Sequence, residues 1–377
     1  MDVIVEKTKC TGCHACYSAC PKNAITMRQD NMGFLYPQID DDKCVDCGLC
    51  KASCPVLTSQ YEKREPISYA CFNKNESERM KSSSGGIFVL LASMIIQKGG
   101  VVFGAGFDKD FNVCHKFIDN ENDIEQFMGS KYVQSTIGDT YKKAKEFLES
   151  DRYVLFSGTP CQIEGLKSYL KRDFEKLYTQ DIICHGVPSP KAWQKYLEYQ
   201  REKHGEDISL VSFRNKESGK SRIKVSFNTE KYYAKPAKDT FMLAFSKSIC
   251  LRNSCYICDF KKANRNSDIT IADFWGIDKV LPEINDNKGI SLVIANTEKG
   301  KKLFDSIKEH TVSREVNLTS AVKYNPAFGK SAEKCENAEQ FSQNIDKMPF
   351  DKLVKKYVPK TPFLLKVIYK AVDIIRS

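Results

Sequence analysis

The hydrophobic positions of this chain fall into two kinds of run. Apolar stretches at residues 69–72, 101–107, 153–157, 177–184, 267–274 and 290–295, with an alternating stretch at 113–118, read as strands. Residues 87–98, 122–127, 140–149, 161–170, 190–203, 239–247 and 299–309 read as helices between them, and 129–135 as a loop or edge strand. Ser82, Ser83 and Ser84 stand where they would cap the apolar 87–98 helix, and Gly99-Gly100 where they would close it. This alternation predicts an α/β core. From 208 to 227 the pattern turns to short alternating strands, and 250–258 is a cysteine-rich loop. Beyond about residue 312 the signal weakens, until 362–375 repeats apolar side chains at helical spacing among Lys366, Lys370 and Arg376. The first 60 residues differ: only 33–39 looks like strand and turn, and the charged stretch 61–66, ending in Pro66, reads as a linker.

The cysteines account for that difference. Cys10, Cys13, Cys16 and Cys20-Pro21 recur as Cys44, Cys47, Cys50 and Cys54-Pro55, both spaced C-x2-C-x2-C-x3-C-P. Three thiolates on one tight loop reach three irons of a cubane, and the fourth, after a short turn, points at the other cluster. This is the ligand pattern of bacterial two-cluster ferredoxins. It assigns Cys10, Cys13, Cys16 and Cys54 to one [4Fe–4S] cluster, and Cys44, Cys47, Cys50 and Cys20 to the second. A zinc site would pair two C-x2-C units across a long gap. Disulfides would imply export, and residues 1–6 have neither the basic nor the apolar segment of a secretion signal. His14, inside the first run, reads as a loop residue beside the cluster rather than a ligand.

At 377 residues there is room for two or three domains, and 41% apolar with 28% charged residues suits a soluble globular protein. The longest apolar run, 87–96, is too short to cross a bilayer, so the cytoplasm is the expected location. The net charge of +10 sits in the body, because residues 1–60 carry 6 basic and 7 acidic side chains. It reads first as a solvated lysine-rich surface, then as attraction for an acidic electron carrier or an anionic cofactor. No basic helix carries a DNA- or RNA-reading motif, so no nucleic-acid partner is expected. The 362–375 helix is expected to dock on its own domain in preference to an anionic membrane.

Four further cysteines have context. Cys161 follows Thr159-Pro160 at a helix start, where the positive helix end favours a thiolate. Cys184 ends a strand, and Cys255 and Cys258 form C-x2-C. Spacing alone leaves open half a zinc ribbon with two core cysteines, a lone reactive thiol at Cys161, or a third cluster. Cys71, Cys114, Cys250 and Cys335 read as small buried apolar side chains, with Cys250 near enough to Cys255 to be a spare ligand. The order of Ser84-Gly85-Gly86-Ile87, Gly129-Ser130-Lys131-Tyr132, Thr159-Pro160-Cys161-Gln162, Ile183-Cys184-His185, Cys255-Tyr256-Ile257-Cys258 and Asp273-Phe274-Trp275-Gly276 resembles the beta-subunit family of coenzyme F420-reducing hydrogenases and dehydrogenases, over about residues 68–310. The resemblance implies a third [4Fe–4S] cluster on Cys161, Cys184, Cys255 and Cys258, and a bound FAD. Several such proteins come from organisms without coenzyme F420, so that substrate does not carry over by itself.

No G-x-G-x-x-G follows a strand. The resemblance places the flavin at Ser84, Gly85 and Gly86, where helix N–H groups would cradle a pyrophosphate; the residues alone read more simply as a serine cap. Lys131, Tyr132 and Gln134 are expected at the flavin, with Lys131 steadying the anionic reduced ring; a plain surface lysine is the alternative. His185 is expected to donate to a cluster sulfur or to substrate, or to be structural. Lys131 and His185 are thus the candidate catalytic residues. Asp273 and Trp275 are expected at a cofactor, Trp275 otherwise as a buried structural residue. The expected fold class is α+β and α/β. Residues 1–60 form a bacterial-ferredoxin-like two-[4Fe–4S] domain, 61–311 a larger mixed α/β domain for FAD and the third cluster, and 312–377 a helical extension. The expected function is an iron–sulfur flavoprotein oxidoreductase. It passes single electrons through clusters to FAD for two-electron reduction of a small substrate or deazaflavin-type cofactor, with ferredoxin or a similar carrier as partner. The alternative is an electron-relay subunit with no substrate of its own, serving a partner enzyme.

Overall fold

A computed structural model describes residues 4–205, 207–216, 224–228 and 232–359; the helix expected at 362–375 lies outside these. The cysteine loops leave the N-terminal unit little regular structure. β1 (Ile25–Gln29) and β2 (Leu35–Ile39) form one antiparallel hairpin, and short helices at Ala15–Ala19, Leu49–Ala52 and Pro55–Thr58 follow the cysteines. Asp30 closes the hairpin by accepting from the N–H groups of Met32 and Phe34, both at 2.9 Å.

The body follows as β3 (Ile67–Asn73), β4 (Val101–Phe107), β5 (Val113–Ile118), β6 (Val154–Ser157) and β7 (Leu177–Ile182). β8 (Val211–Asn215), β9 (Lys224–Phe227) and β10 (Tyr232–Ala234) make a separate antiparallel sheet. β11 (Ile269–Asp273), β12 (Ser291–Ala295) and β13 (Thr311–Val316) complete an eight-stranded sheet of order β13-β3-β12-β11-β7-β6-β4-β5. The middle strands β11, β7, β6 and β4 run parallel, and antiparallel strands flank them on both sides. Parallel strands need cover on both faces. Val102 and Leu155 pack with Leu91 and Ile95 of the Ile87–Gln97 helix. Their chain neighbours Val101, Phe103, Val154 and Phe156 pack on the other face with Tyr141 and Leu166 of the Thr140–Glu149 and Pro160–Leu170 helices. Cys13 and Ala15 join this second cluster, so the N-terminal unit is docked into the core. Ser59 and Gln60 pin the following segment: Ser59 Oγ donates to Glu164 at 3.0 Å and the Asn266 amide donates to the Gln60 carbonyl at 2.8 Å.

Local differences from the sequence pattern have local causes. The serines do not cap the Ile87–Gln97 helix: Gly86 does, at φ +81°, without a side-chain cap. Ser82 Oγ donates back to the Glu78 carbonyl and Ser84 Oγ to the Ile290 carbonyl, both at 2.8 Å. A Cβ on Gly85 would lie 2.6 Å from the Cys71 carbonyl, so this glycine serves close approach to β3. The 122–127 helix is the 3₁₀ segment Glu121–Phe127. β13 lies where the pattern weakens, because an edge strand paired only to β3 keeps Arg314 and Glu315 in solvent. No helix among the described residues is long and apolar enough to cross a membrane.

Candidate metal centres and cofactor site

Left-handed turns at Gly12 (φ +66°) and His14 (φ +64°), and at Asp46 (φ +49°) and Gly48 (φ +71°), curl the two cysteine runs. Cys10, Cys13, Cys16 and Cys54 line one cavity of about 20 Å³. Cys20, Cys44, Cys47 and Cys50 line a second of about 180 Å³, walled only by residues within 4–51. The fourth cysteine of each run thus faces the other run's cavity. Cys10, Cys13 and Cys54 are buried, whereas Cys47 is exposed, so one set is inner and the other outer. Burial, and then the charges of Cys10 and Cys54, push the Cys13 thiol up to about 12. Such groups become thiolates only against positive charge, which iron would provide. His14 Nδ1, Ser18 Oγ and Ser53 Oγ, inside the two runs, are buried without a hydrogen-bond partner. A sulfur-rich group held by the cysteines would give His14, which lines the inner cavity, such a partner. Burial, with the Arg252 charge behind it, lowers the His14 pKa to about 4 and keeps the ring neutral.

The second constellation forms at the carboxyl ends of the parallel strands, where open α/β sheets hold ligands. Cys161 starts the helix after β6, Cys184 lies just beyond β7, and Asp273 ends β11. Cys255 and Cys258 arrive with the 3₁₀ segment Asn253–Ile257. Burial first, then the charges of Cys258, Cys184 and Cys255, hold the Cys161 thiol well above its usual value. Burial raises Cys255 to about 12, with Cys184 and Cys258 adding to it. Lys261 and Arg265, both buried, pull Cys184 and Cys258 the other way. Arg265 pairs with Asp181 at 2.9 Å, yet its Nε and Nη2 are buried without partners. Four thiols, two cations and unused N–H groups fit an anionic iron–sulfur cluster. Among the described residues no three His, Cys, Asp or Glu side chains converge closely enough for a single metal ion; the thiols meet at the longer range over which charges act. Cys71 and Cys250 are buried, and Cys114 and Cys335 partly so.

The two loops expected at a flavin also meet: Ser83 Oγ lies 2.8 Å from Ser130 Oγ. Individual contacts fall differently. The Lys131 ammonium donates to the carbonyls of Gln126 (2.9 Å) and Met128 (2.7 Å), and burial, then the Lys116 charge, lowers its pKa to about 7. The Gly85 N–H donates to Ser291 Oγ at 2.9 Å. Gln134 stands at the inner cysteine set: its amide donates to the Thr11 carbonyl at 2.9 Å and accepts from Arg252 at 3.0 Å. Tyr132 stacks on Phe245 with centroids 5.0 Å apart, and Phe245 meets the His185 ring edge-on at 5.3 Å. His185 Nε2 lies 3.0 Å from Ser248 Oγ. Trp275 is 49% exposed, because Phe274 beside it takes the buried position.

Sequence reasoning missed Arg214 and Lys216. Arg214 pairs with Asp273 and reaches the Tyr132 hydroxyl at 3.5 Å. Lys216 donates to the carbonyls of Ser84, Arg79 (3.0 Å) and Lys288 (3.1 Å), and burial, then Arg214, lowers its pKa to about 8. Both belong to the short alternating strands, where no motif marks them.

Residues 9–57 match the family described as 4Fe-4S dicluster domain. Residues 151–320 match the family described as the C terminus of the Coenzyme F420 hydrogenase/dehydrogenase beta subunit. These matches bear out the ferredoxin-type reading of the two cysteine runs and the family resemblance of the body. A curated relative, the Coenzyme F420-dependent sulfite reductase of Methanocaldococcus jannaschii, is 24% identical over 345 residues, 86% of this chain and 49% of its own length. The chain therefore spans about half the length of that relative. A chain from the xenon-derivatised F420-reducing [NiFe] hydrogenase complex of Methanosarcina barkeri superposes on 79% of this chain and 92% of its own, at TM-score 0.48 and 16% identity.

Proposed function

We propose that this chain is an iron–sulfur flavoprotein oxidoreductase that takes single electrons through [4Fe–4S] clusters to FAD, for two-electron reduction of a small molecule or a deazaflavin-type cofactor such as coenzyme F420. Clusters would provide the one-electron steps and a flavin the two-electron store. One observation supports the reading: Cys10, Cys13, Cys16 and Cys54 line one cavity and Cys20, Cys44, Cys47 and Cys50 another, while Cys161, Cys184, Cys255 and Cys258 lie within range of one another's charge. The inner set lies against the helix that bears Cys161, since a Cβ on Gly165 would be 3.0 Å from Cys13 Sγ. The division into 1–60, 61–311 and 312–377 belongs to this proposal, with clusters in the first unit and the flavin and third cluster in the second, and with the second boundary moved past β13, whose residues Thr311–Val316 pair with β3 in the body sheet. Lys261 and Arg265 offset the negative charge of the third set. Lys216 holds the turn at Ser84, the Arg214–Asp273 pair orients Tyr132, and Tyr132, Phe245 and His185 fill the space towards Cys184. Lys131, poised near neutrality, can hold or release a proton at Nζ. Ferredoxin or a similar carrier in the cytoplasm is the proposed partner.

A relay subunit without a substrate is favoured by one observation, the commitment of Lys131 and the Gly85 N–H to their own surroundings. Anaerobic purification with iron, sulfide and flavin quantified tests the main reading, which expects about 12 iron and bound FAD per chain. Zinc at the downstream cysteines, or no flavin, rejects it. A protein that is bleached by dithionite but turns over no flavin-type substrate without a partner supports the relay. Cys255→Ala is expected to remove about four iron atoms and spare the N-terminal pair.

A further inference from the structure

Arg252 is fully buried. Its guanidinium meets four acceptors: the Cys10 carbonyl (Nε, 2.7 Å), the Gln134 amide oxygen (Nη1, 3.0 Å), the Leu35 carbonyl (Nη2, 2.9 Å) and Cys10 Sγ (Nη2, 3.7 Å). The Tyr36 ring lies against it, 4.1 Å from centroid to Cζ. Gly12, between two cysteines of the first run, leaves the space it fills: a Cβ there would lie 2.8 Å from Nη1. None of the four acceptors is a carboxylate. A buried cation is costly unless an anion answers it, and of these groups only the Cys10 sulfur can carry negative charge. The arginine's backbone belongs to the other end of the path. Its carbonyl accepts from the Cys255 N–H at 2.9 Å, and its N–H donates to the Val187 carbonyl at 3.0 Å. One residue thus touches the inner N-terminal set with its side chain and the third set with its main chain.

We propose that Arg252 is a positioning residue that ties the Cys10–Cys13–Cys16–Cys54 centre to the Cys255 loop and stabilises the reduced state of that centre. The proposal rests on the cluster reading of these cysteines and adds to it which centre collects the electron. A centre that accepts one electron becomes one charge more negative. A guanidinium in a medium of low dielectric, donating towards a ligand sulfur, stabilises that added charge. An electron handed inward would leave the outer centre oxidised by one and the inner centre reduced by one, with no bond made or broken. Its next neighbours are Gly165, on the helix bearing Cys161, and Arg252 itself.

The test is an equilibrium redox titration of the anaerobically purified full chain, followed by electron paramagnetic resonance, with Arg252→Met and Arg252→Lys beside the parent. At unchanged iron content, Arg252→Met should lower the reduced-to-oxidised ratio of one N-terminal centre at least tenfold at a given potential, about 59 mV for one electron. The other N-terminal centre should not move. Arg252→Lys, which keeps the charge, should recover most of the shift. Unmoved potentials in a fully loaded Arg252→Met protein, or a lysine variant shifted as far as the methionine one, overturn the proposal. Should Arg252→Met lose iron, the loaded lysine variant decides alone: a shift under about tenfold supports the proposal and a larger one overturns it. Failure of the cluster reading would look different, as a parent protein without iron or cluster signals.

Discussion

His115 and Arg265 illustrate how single buried groups set the behaviour of this fold. With Nε2–H donating to the Ser157 carbonyl and Nδ1 accepting from the Ser135 hydroxyl, both at 2.9 Å, His115 is satisfied as a neutral ring. Burial lowers its pKa from 6.5 to about 4. Between those values the unfolded chain binds the proton and the folded one does not, so stability falls as acid is added and levels off below the folded value. The denaturant midpoint of the loaded protein should drop from about pH 7 to about pH 4.5, and less steeply in His115→Gln; identical slopes would exclude His115 as a cause. Arg265 and Asp181 form a pair whose side chains are each 3% exposed. Arg265→Leu leaves the carboxylate buried without its cation, with the Thr270 hydroxyl still donating to it, an expected loss of about 3–5 kcal/mol. Anaerobic unfolding measures it, and adding Asp181→Asn should restore most of it.

At the scale of the element, the Pro160–Leu170 helix shows how much of a site its sequence announces. Thr159 before Pro160 marks the start, and the Gln162 side chain accepts from the Thr159 N–H at 2.9 Å, as a capping residue three positions on would. A glycine in mid-helix is a cost without a local reason. Its reason is distant: a Cβ on Gly165 would stand 2.9 Å from both Cys13 Cβ and Tyr141 Oη. Gly165→Ala should push the inner cysteine loop outward, costing about 1–3 kcal/mol. It should also speed release of part of the iron to a chelator; release at the parent rate would show that the loop yields without strain. The turn before the Ile87–Gln97 helix teaches the converse. Its serines match a cap by type, but Gly86 takes the position because β3 and β12 draw the loop in through Gly85.

Across the whole molecule the cysteine sets run from outside inward. The outer set opens at the exposed Cys47, whose cavity is also lined by Val45 and Leu49, 57% and 37% exposed. This apolar rim suits a carrier protein docking over the entry point. Cys47→Ala should therefore slow reduction by a ferredoxin-type protein in stopped flow more than reduction by dithionite; equal slowing would place entry elsewhere. Legible in the sequence alone was the 4Fe-4S dicluster domain of residues 9–57, because three cysteines on one tight loop are a local property. So was the α/β body, through runs whose period survives packing. Spacing alone left Cys161, Cys184, Cys255 and Cys258 undecided, and no motif pointed to Arg252 or Lys216. Only the tertiary structure set each in place, because the parallel strands end at one edge near the four cysteines, Lys216 is held by the Ser84 turn, and a buried guanidinium is positioned by groups more than a hundred residues away. The same packing turned Gln134, expected at a flavin, to the inner cysteine set, since its side chain is held by Thr11 and Arg252, which no local pattern encodes.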